Sequence, residues 1–161
     1  MEVLIVLGIL TLGLLGIASL VMQNMQVENL TKNYLVASML AQEGIEIVRN
    51  IRDENWLNPI SDDPLNWLKN IPEGTFAIDY RGRSSVNEVP DVNGDEGTQL
   101  YLDGTGFYSL VHSIATTAFF RLITVEYHVS DDYFLITSDV MWTGRFGERH
   151  YTVKTALYNW R

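Results

Sequence analysis

Hydrophobic residues fill nearly every position at the start of the chain. Residues 3–22, VLIVLGILTLGLLGIASLVM, contain no charged side chain, and the apolar run is interrupted only by Thr11, Ser19 and three glycines. Twenty helical residues rise about 30 Å, which is the thickness of the hydrocarbon core of a bilayer. The pattern therefore predicts a helix long enough to cross a membrane, and a single-pass anchor is the simplest interpretation.

The charges beside this run differ from those of an ordinary anchor. No Lys or Arg precedes it, whereas signal peptides and simple anchors usually carry basic residues there. The only flanking charge is acidic, at Glu2. Because a carboxylate at the edge of a membrane helix is costly, Glu2 is a candidate functional residue.

The helical pattern continues beyond the apolar run, since no proline occurs before Pro59. Apolar residues spaced by three or four positions form one stripe, which predicts a buried face: Val27, Leu30, Tyr34, Ala37, Ala41, Ile45 and Val48. A second, shorter stripe consists of Val36, Leu40 and Ile47. The two stripes predict one face for a folded head and another for neighbouring subunits. The helix is expected to end near residues 52–55, and any break in it is expected between Gly8 and Gly16.

The last third of the chain alternates apolar and polar residues, which is typical of strands with one buried face. Three such runs lie within residues 117–160 and are separated by turns at 130–132 and 144–147, so they predict an antiparallel meander. Shorter strands are predicted at 75–80, 99–102 and 107–111. A sheet of this size needs cover on one face, and the long helix supplies it. The expected class is α+β.

These patterns divide the chain into three parts. Residues 1–27 form a hydrophobic helix of membrane length, and residues 28–54 form the amphipathic second half of the same helix. Residues 55–161 form a globular head, with a connecting region at 55–112 and the meander at 117–160.

Composition narrows the function classes. The 161-residue chain has a formal charge of −9, whereas a nucleic-acid-binding surface requires basic residues, so no nucleic-acid partner is expected. Cysteine is absent, and the head must be stabilised without a disulfide. An acidic surface of this kind favours solubility.

One acidic segment has the spacing that opens a calcium-binding loop. Asp91, Asn93 and Asp95 place oxygen ligands at alternate positions, as a hard cation requires. However, Glu96 stands where such loops have glycine, and Leu102 stands where the closing carboxylate belongs. Calcium is therefore one interpretation, and an exposed acidic turn is the other. No other cofactor is expected.

No catalytic arrangement is visible. The three histidines, His112, His128 and His150, lack the spacing of metal ligands, and no sequence resembles a nucleophile elbow or a zinc helix. The chain is therefore predicted not to be an enzyme.

Three segments resemble the type IV pilins and the related pseudopilins. They are EVLIV at residues 2–6, LAQEGIEIVRNIRDENW at 40–56 and LYNWR at 157–161. Processed members of this family begin with a few residues, then a glutamate and an unbroken apolar run. The chain departs from the pattern in one respect, because only Met1 precedes Glu2, whereas the family has about three more residues there.

The resemblance implies a structural subunit that polymerises through its apolar helix into an extracellular fibre for adhesion, motility, DNA uptake or cell contact. Lipid would surround the helix in the cytoplasmic membrane before assembly, and copies of itself afterwards. A prepilin peptidase, an assembly platform and an assembly ATPase are the implied partners, and a leader already removed and a methylated N-terminal amine are implied processing. The implied assembly residues are Glu2, Val3, Leu4, Ile5, Val6, Leu7, Gly13 and Gly16. The glycines allow either close helix–helix approach or local unwinding in a filament.

Two alternatives remain open from the sequence. The first is a minor pilin or a type II secretion pseudopilin, which has the same architecture. The second belongs to another class, a membrane-anchored binding or sensory domain that never polymerises.

Overall fold

The computed structural model describes residues 1–58, 67, 69, 71, 73–83, 97–112, 115–144 and 147–158. Two units follow one another along the chain, Met1–Leu35 and Val36–Arg161. The first is entirely helical, and the second combines a helix with an antiparallel sheet. The α+β class predicted from the sequence is confirmed.

One helix, α1, extends over Glu2–Leu57 without a break. The predicted continuous helix is therefore confirmed, and the interruption that was allowed between Gly8 and Gly16 is not present. The absence of proline and the many good helix formers explain its length. Helix α1 ends a few residues after the predicted boundary of 52–55.

Eight strands follow in the described residues: β1 (Gly74–Phe76), β2 (Ile78–Asp79), β3 (Gly82–Arg83), β4 (Gln99–Leu102), β5 (Tyr108–Ser109), β6 (Ala115–His128), β7 (Tyr133–Gly144) and β8 (Gly147–Tyr158). The main sheet has the order β5-β4-β6-β7-β8, and β1 also pairs with β6. Strands β2 and β3 form a separate pair. The single strand predicted at 75–80 is wrong, because Ala77 separates β1 from β2, which belong to different sheets. The strand predicted at 107–111 is shorter than expected.

The predicted meander is confirmed by the three long strands β6, β7 and β8. Strand β6 pairs with β7 from Phe119 opposite Trp142 onward without a register shift, and β7 pairs with β8 from Tyr133 opposite Tyr158 onward, also without a shift. The turn between β6 and β7 places Asp132 at a φ of 49°, a left-handed conformation that Asp tolerates better than most residues. The alternation of apolar and polar residues thus predicted which face of each long strand is buried.

The core of the second unit lies between the sheet and the last part of α1. The buried residues of α1 are Ala37, Leu40, Ala41, Gly44, Ile45, Val48, Arg52, Asn55 and Trp56. Leu40 belongs to this face, and Val36 and Ile47 are half-buried against the same core. The second stripe is therefore not a face separate from the first, since Leu40 is buried in the same core and Val36 and Ile47 are half-buried against it. A contact of this stripe with neighbouring subunits stays a prediction.

Candidate functional site

The first unit exposes its apolar side chains almost completely. Val3 and Leu4 are each 71% exposed, and the most hydrophobic window of α1 has none of its residues buried within the chain. Such a helix is long and apolar enough to cross a membrane. Covering a fully exposed aliphatic side chain gains about 1.5–3 kcal/mol, so this surface favours lipid or another apolar helix around it.

The predicted assembly residues all lie on this helix. Glu2 occupies its first turn and is exposed, and the apolar residues that follow, Val3 to Leu7, are each more than half exposed. A Cβ added to Gly13 or Gly16 would meet no atom within 4 Å. Neither glycine is thus needed for a contact with the described residues, and both retain helical geometry.

The second unit contains a glycine at a close contact that was not predicted from the sequence. A Cβ on Gly44 would lie 2.7 Å from Ile123 Cδ1 and 2.8 Å from Ser138 Oγ. Ile123 and Ser138 are fully buried on β6 and β7. Gly44 therefore lets the backbone of α1 approach the sheet more closely than any other residue type would allow.

A buried arginine lies beside this contact. Arg121 on β6 is fully buried, and its Nη1 donates to the carbonyl of Leu40 at 3.0 Å and to Glu43 Oε2 at 2.8 Å. Its Nη2 donates to the carbonyl of Ile78 on β2. Burial lowers the pKa of the guanidinium, and the neighbouring Glu43 opposes that change. One side chain thus connects α1, β6 and β2.

The sequence carried a signal for Arg121. It alternates in phase with Phe119 and Ile123, so it stands on the apolar side of β6. A charged side chain on the apolar face of a strand either reaches water at a sheet edge or is buried with hydrogen-bonding partners. The partners themselves come from segments 43 to 81 residues away and have no local signature.

A groove lies between α1 and the edge strand β8. It has a volume of about 630 Å³ and is open to solvent. Its apolar lining comes from Met39, Ile45 and Val153, and polar residues complete it: Gln42, Glu43, Glu46, Arg49, Lys154 and Thr155. Glu43 pairs with Arg121, and Glu46 pairs with Arg49. Both carboxylates of the groove are therefore neutralised within the chain.

The hairpin between β4 and β5 is organised around Asp103. Its Oδ1 accepts hydrogen bonds from the backbone nitrogens of Thr105 and Phe107 and from the Thr105 hydroxyl, and its Oδ2 accepts one from the Tyr80 hydroxyl. The guanidinium of Arg81 lies 3.4 Å from the same oxygen. These bonds hold the pKa of Asp103 well below its usual range, and the Thr105 hydroxyl contributes most.

We expect Asp103→Asn to lower the melting temperature of the head at pH 7. The melting temperature of this variant should also fall less than that of the unaltered protein as the pH is lowered. The pKa of Asp103 is lower in the folded than in the unfolded chain, so its stabilisation is full well above the unfolded value of about 3.9 and is lost as the pH falls below it. Thermal unfolding between pH 7 and pH 2 measures this. A parallel pH dependence in both proteins would contradict it.

The three histidines lie at separate places. His150 Nδ1 lies 2.9 Å from Asp139 Oδ2. His112 packs against the ring of Tyr101, and His128 packs against the ring of Tyr133. No group of three His, Asp or Glu side chains able to hold a metal ion occurs within the described residues. The calcium candidates Asp91, Asn93 and Asp95 lie outside those residues.

Comparison with known proteins gives no relative. No protein-family model, no curated protein and no solved structure matches this chain. Of the chain's own features, the exposed apolar helix is the most prominent.

Proposed function

We propose that the chain is a type IV pilin-like subunit, which assembles through its N-terminal helix into a filament at the cell surface. The observation that carries this proposal is the apolar first unit, whose surface is uncovered over a membrane-length segment and has an acidic residue at its first turn. A membrane holds such a helix before assembly, and the helices of other copies replace the lipid afterwards.

The geometry of repetition supports a fibre. A head-to-tail contact between identical subunits that does not close into a ring generates an open helix. Apolar helices slide past one another at little cost, so they need a polar group to define their register. Glu2 supplies that group, because a carboxylate buried among apolar helices is penalised unless it is paired. The free N-terminal amine of the same or a neighbouring subunit is the proposed partner.

Glu2→Gln is expected to leave the subunit folded and in the membrane while sharply reducing the yield of filaments. The experiment uses a strain without the unaltered subunit, and it compares the sheared surface fraction with the membrane fraction by immunoblotting and electron microscopy. Glu28→Gln is the matched control, since Glu28 is an exposed glutamate on the same helix. Normal filaments from Glu2→Gln would overturn the register role.

The same experiment addresses the alternative of an anchored binding domain. That alternative rests on helix α1, which is long and apolar enough to cross a membrane and would suffice as an anchor. If the unaltered protein is found only in membranes and never in the sheared fraction, the subunit is not polymeric and the anchored domain is the correct interpretation. Abundance in the sheared fraction would separate a major from a minor subunit.

A further inference from the structure

Strand β8 has an unusually long outer edge that is unpaired within the described residues. Strand β8 extends over twelve residues, Gly147–Tyr158, and pairs only with β7 in the described part of the chain. It contains no proline, and its register with β7 is free of bulges. Proteins usually protect an exposed edge by shortening it, bending it, or adding proline or charged residues, and β8 has only charged residues of this kind. The backbone donors and acceptors along β8 therefore match those of another extended backbone.

The groove described above lies directly beside this edge. Val153 and Thr155 line it from β8, and Met39 and Ile45 line it from α1. Side chains of a strand added to β8 alternate between the two faces of the sheet. Those next to Val153 and Thr155 would enter the groove, where Met39 is 60% exposed and Ile45 is buried. The hydrogen-bonding edge and the partly apolar groove therefore coincide.

The charges of the groove favour one kind of partner. Its two carboxylates, Glu43 and Glu46, already have arginine partners, whereas Lys154 has no ion-pair or hydrogen-bond partner among the described residues. Lys154 is exposed on β8, on the face opposite Val153 and Thr155, and is the remaining uncompensated charge beside the groove. A carboxylate opposite it on an added strand would form a cross-strand ion pair.

We propose that the edge of β8 is a docking site for an extended acidic peptide segment of a partner protein, which binds by adding a strand to the sheet. Backbone hydrogen bonds to β8 provide the affinity, and the groove selects small apolar side chains at alternate positions. An Asp or Glu opposite Lys154 sets the register. The proposal is independent of filament assembly, since it involves only the second unit, Val36–Arg161.

A different role for Lys154 has to be separated from this one. Lysine on an edge strand commonly prevents edge-to-edge association of identical sheets. Under that role, removal of Lys154 would increase self-association and would leave peptide binding unaffected. Under the proposed role, the removal lowers the affinity for acidic peptides.

The test uses the full chain in detergent micelles and a fluorescein-labelled octapeptide in which valine and threonine alternate. One outward position carries Glu in the test peptide and Lys in a second peptide, and a third peptide has a central proline that prevents strand addition. Fluorescence anisotropy measures binding. Hydrogen exchange measures whether amides of β8 become protected when the peptide binds.

The expected result is binding of the Glu peptide with protection of β8, and little binding of the Lys or proline peptide.

Lys154→Glu should weaken binding of the Glu peptide about tenfold, because the cross-strand attraction becomes a repulsion. It should strengthen binding of the Lys peptide, because there the cross-strand repulsion becomes an attraction. Lys69→Glu makes the same charge change at another exposed position and should alter neither affinity. The proposal would be overturned if the Glu peptide does not bind, if replacing Lys154 does not change the peptide affinities, or if the protein dimerises through β8.

Discussion

Gly44→Val is expected to destabilise the head by about 3 kcal/mol or more. The valine Cβ alone would come within 2.7 Å of Ile123 and 2.8 Å of Ser138, and both residues are fully buried and cannot move aside freely. Gly44→Ala meets the same two atoms. Its cost exceeds the gain of about 1 kcal/mol that alanine brings to a helix, so it also lowers stability. Urea denaturation followed by near-ultraviolet circular dichroism measures both variants.

The control for Gly44 is another glycine of the same helix. Gly16→Ala places its Cβ in open space, so the stability of the head should not change. Ser138→Ala removes one of the two close atoms, and the Ser138 hydroxyl is buried without a hydrogen-bond partner in the described residues. We therefore expect Ser138→Ala to recover part of the stability that Gly44→Ala loses. Additive effects of these two changes would show that Gly44 does not act through this contact.

Arg121→Ala is expected to cost about 3–5 kcal/mol of head stability. It leaves a cavity and deprives the carbonyl of Ile78 and the carboxylate of Glu43 of their donor. Arg121→Met fills most of the volume and should cost less than alanine because it leaves a smaller cavity, but it removes the same hydrogen bonds and should still destabilise the head. Denaturation midpoints of the two variants give the difference.

The comparison for Arg121 is an exposed cation on the same sheet. Lys154→Ala should change stability by no more than about 0.5 kcal/mol, as is usual for surface positions. If Arg121→Met is as damaging as Arg121→Ala, the hydrogen bonds of the guanidinium outweigh the packing of its stem. If neither variant loses stability, Arg121 does not connect the elements as described.

Much of this fold was predictable, because periodicity reports which side of an element is covered. The meander in 117–160 and the helix up to Leu57 follow from local patterns. The pairing of β1 with β6 does not, since it joins Gly74 to Val125 across a long separation. The second stripe of α1 was predicted as a separate face because spacing alone does not tell how wide a sheet the helix contacts.

The candidate sites differ in the same way. The apolar helix that begins at Glu2 is evident in the sequence, because its chemistry is contained in consecutive residues. Gly44 resembles the glycines of the tail in sequence, and only the approach of the sheet distinguishes it. The groove beside β8 was not predicted at all, since its walls come from residues more than a hundred positions apart.

The hydrogen bond between Arg121 and Leu40 spans 81 residues, and this separation determines when the head can form. A ribosome that adds about 5–20 residues each second needs about 4–16 s to synthesise that interval. During this time the sheet-facing side of α1 has been made, but the strand that covers it has not. The membrane-length segment therefore emerges first and can reach a bilayer before the head folds. Insertion of this segment into a bilayer, which the proposed function requires, can therefore precede the folding of the head.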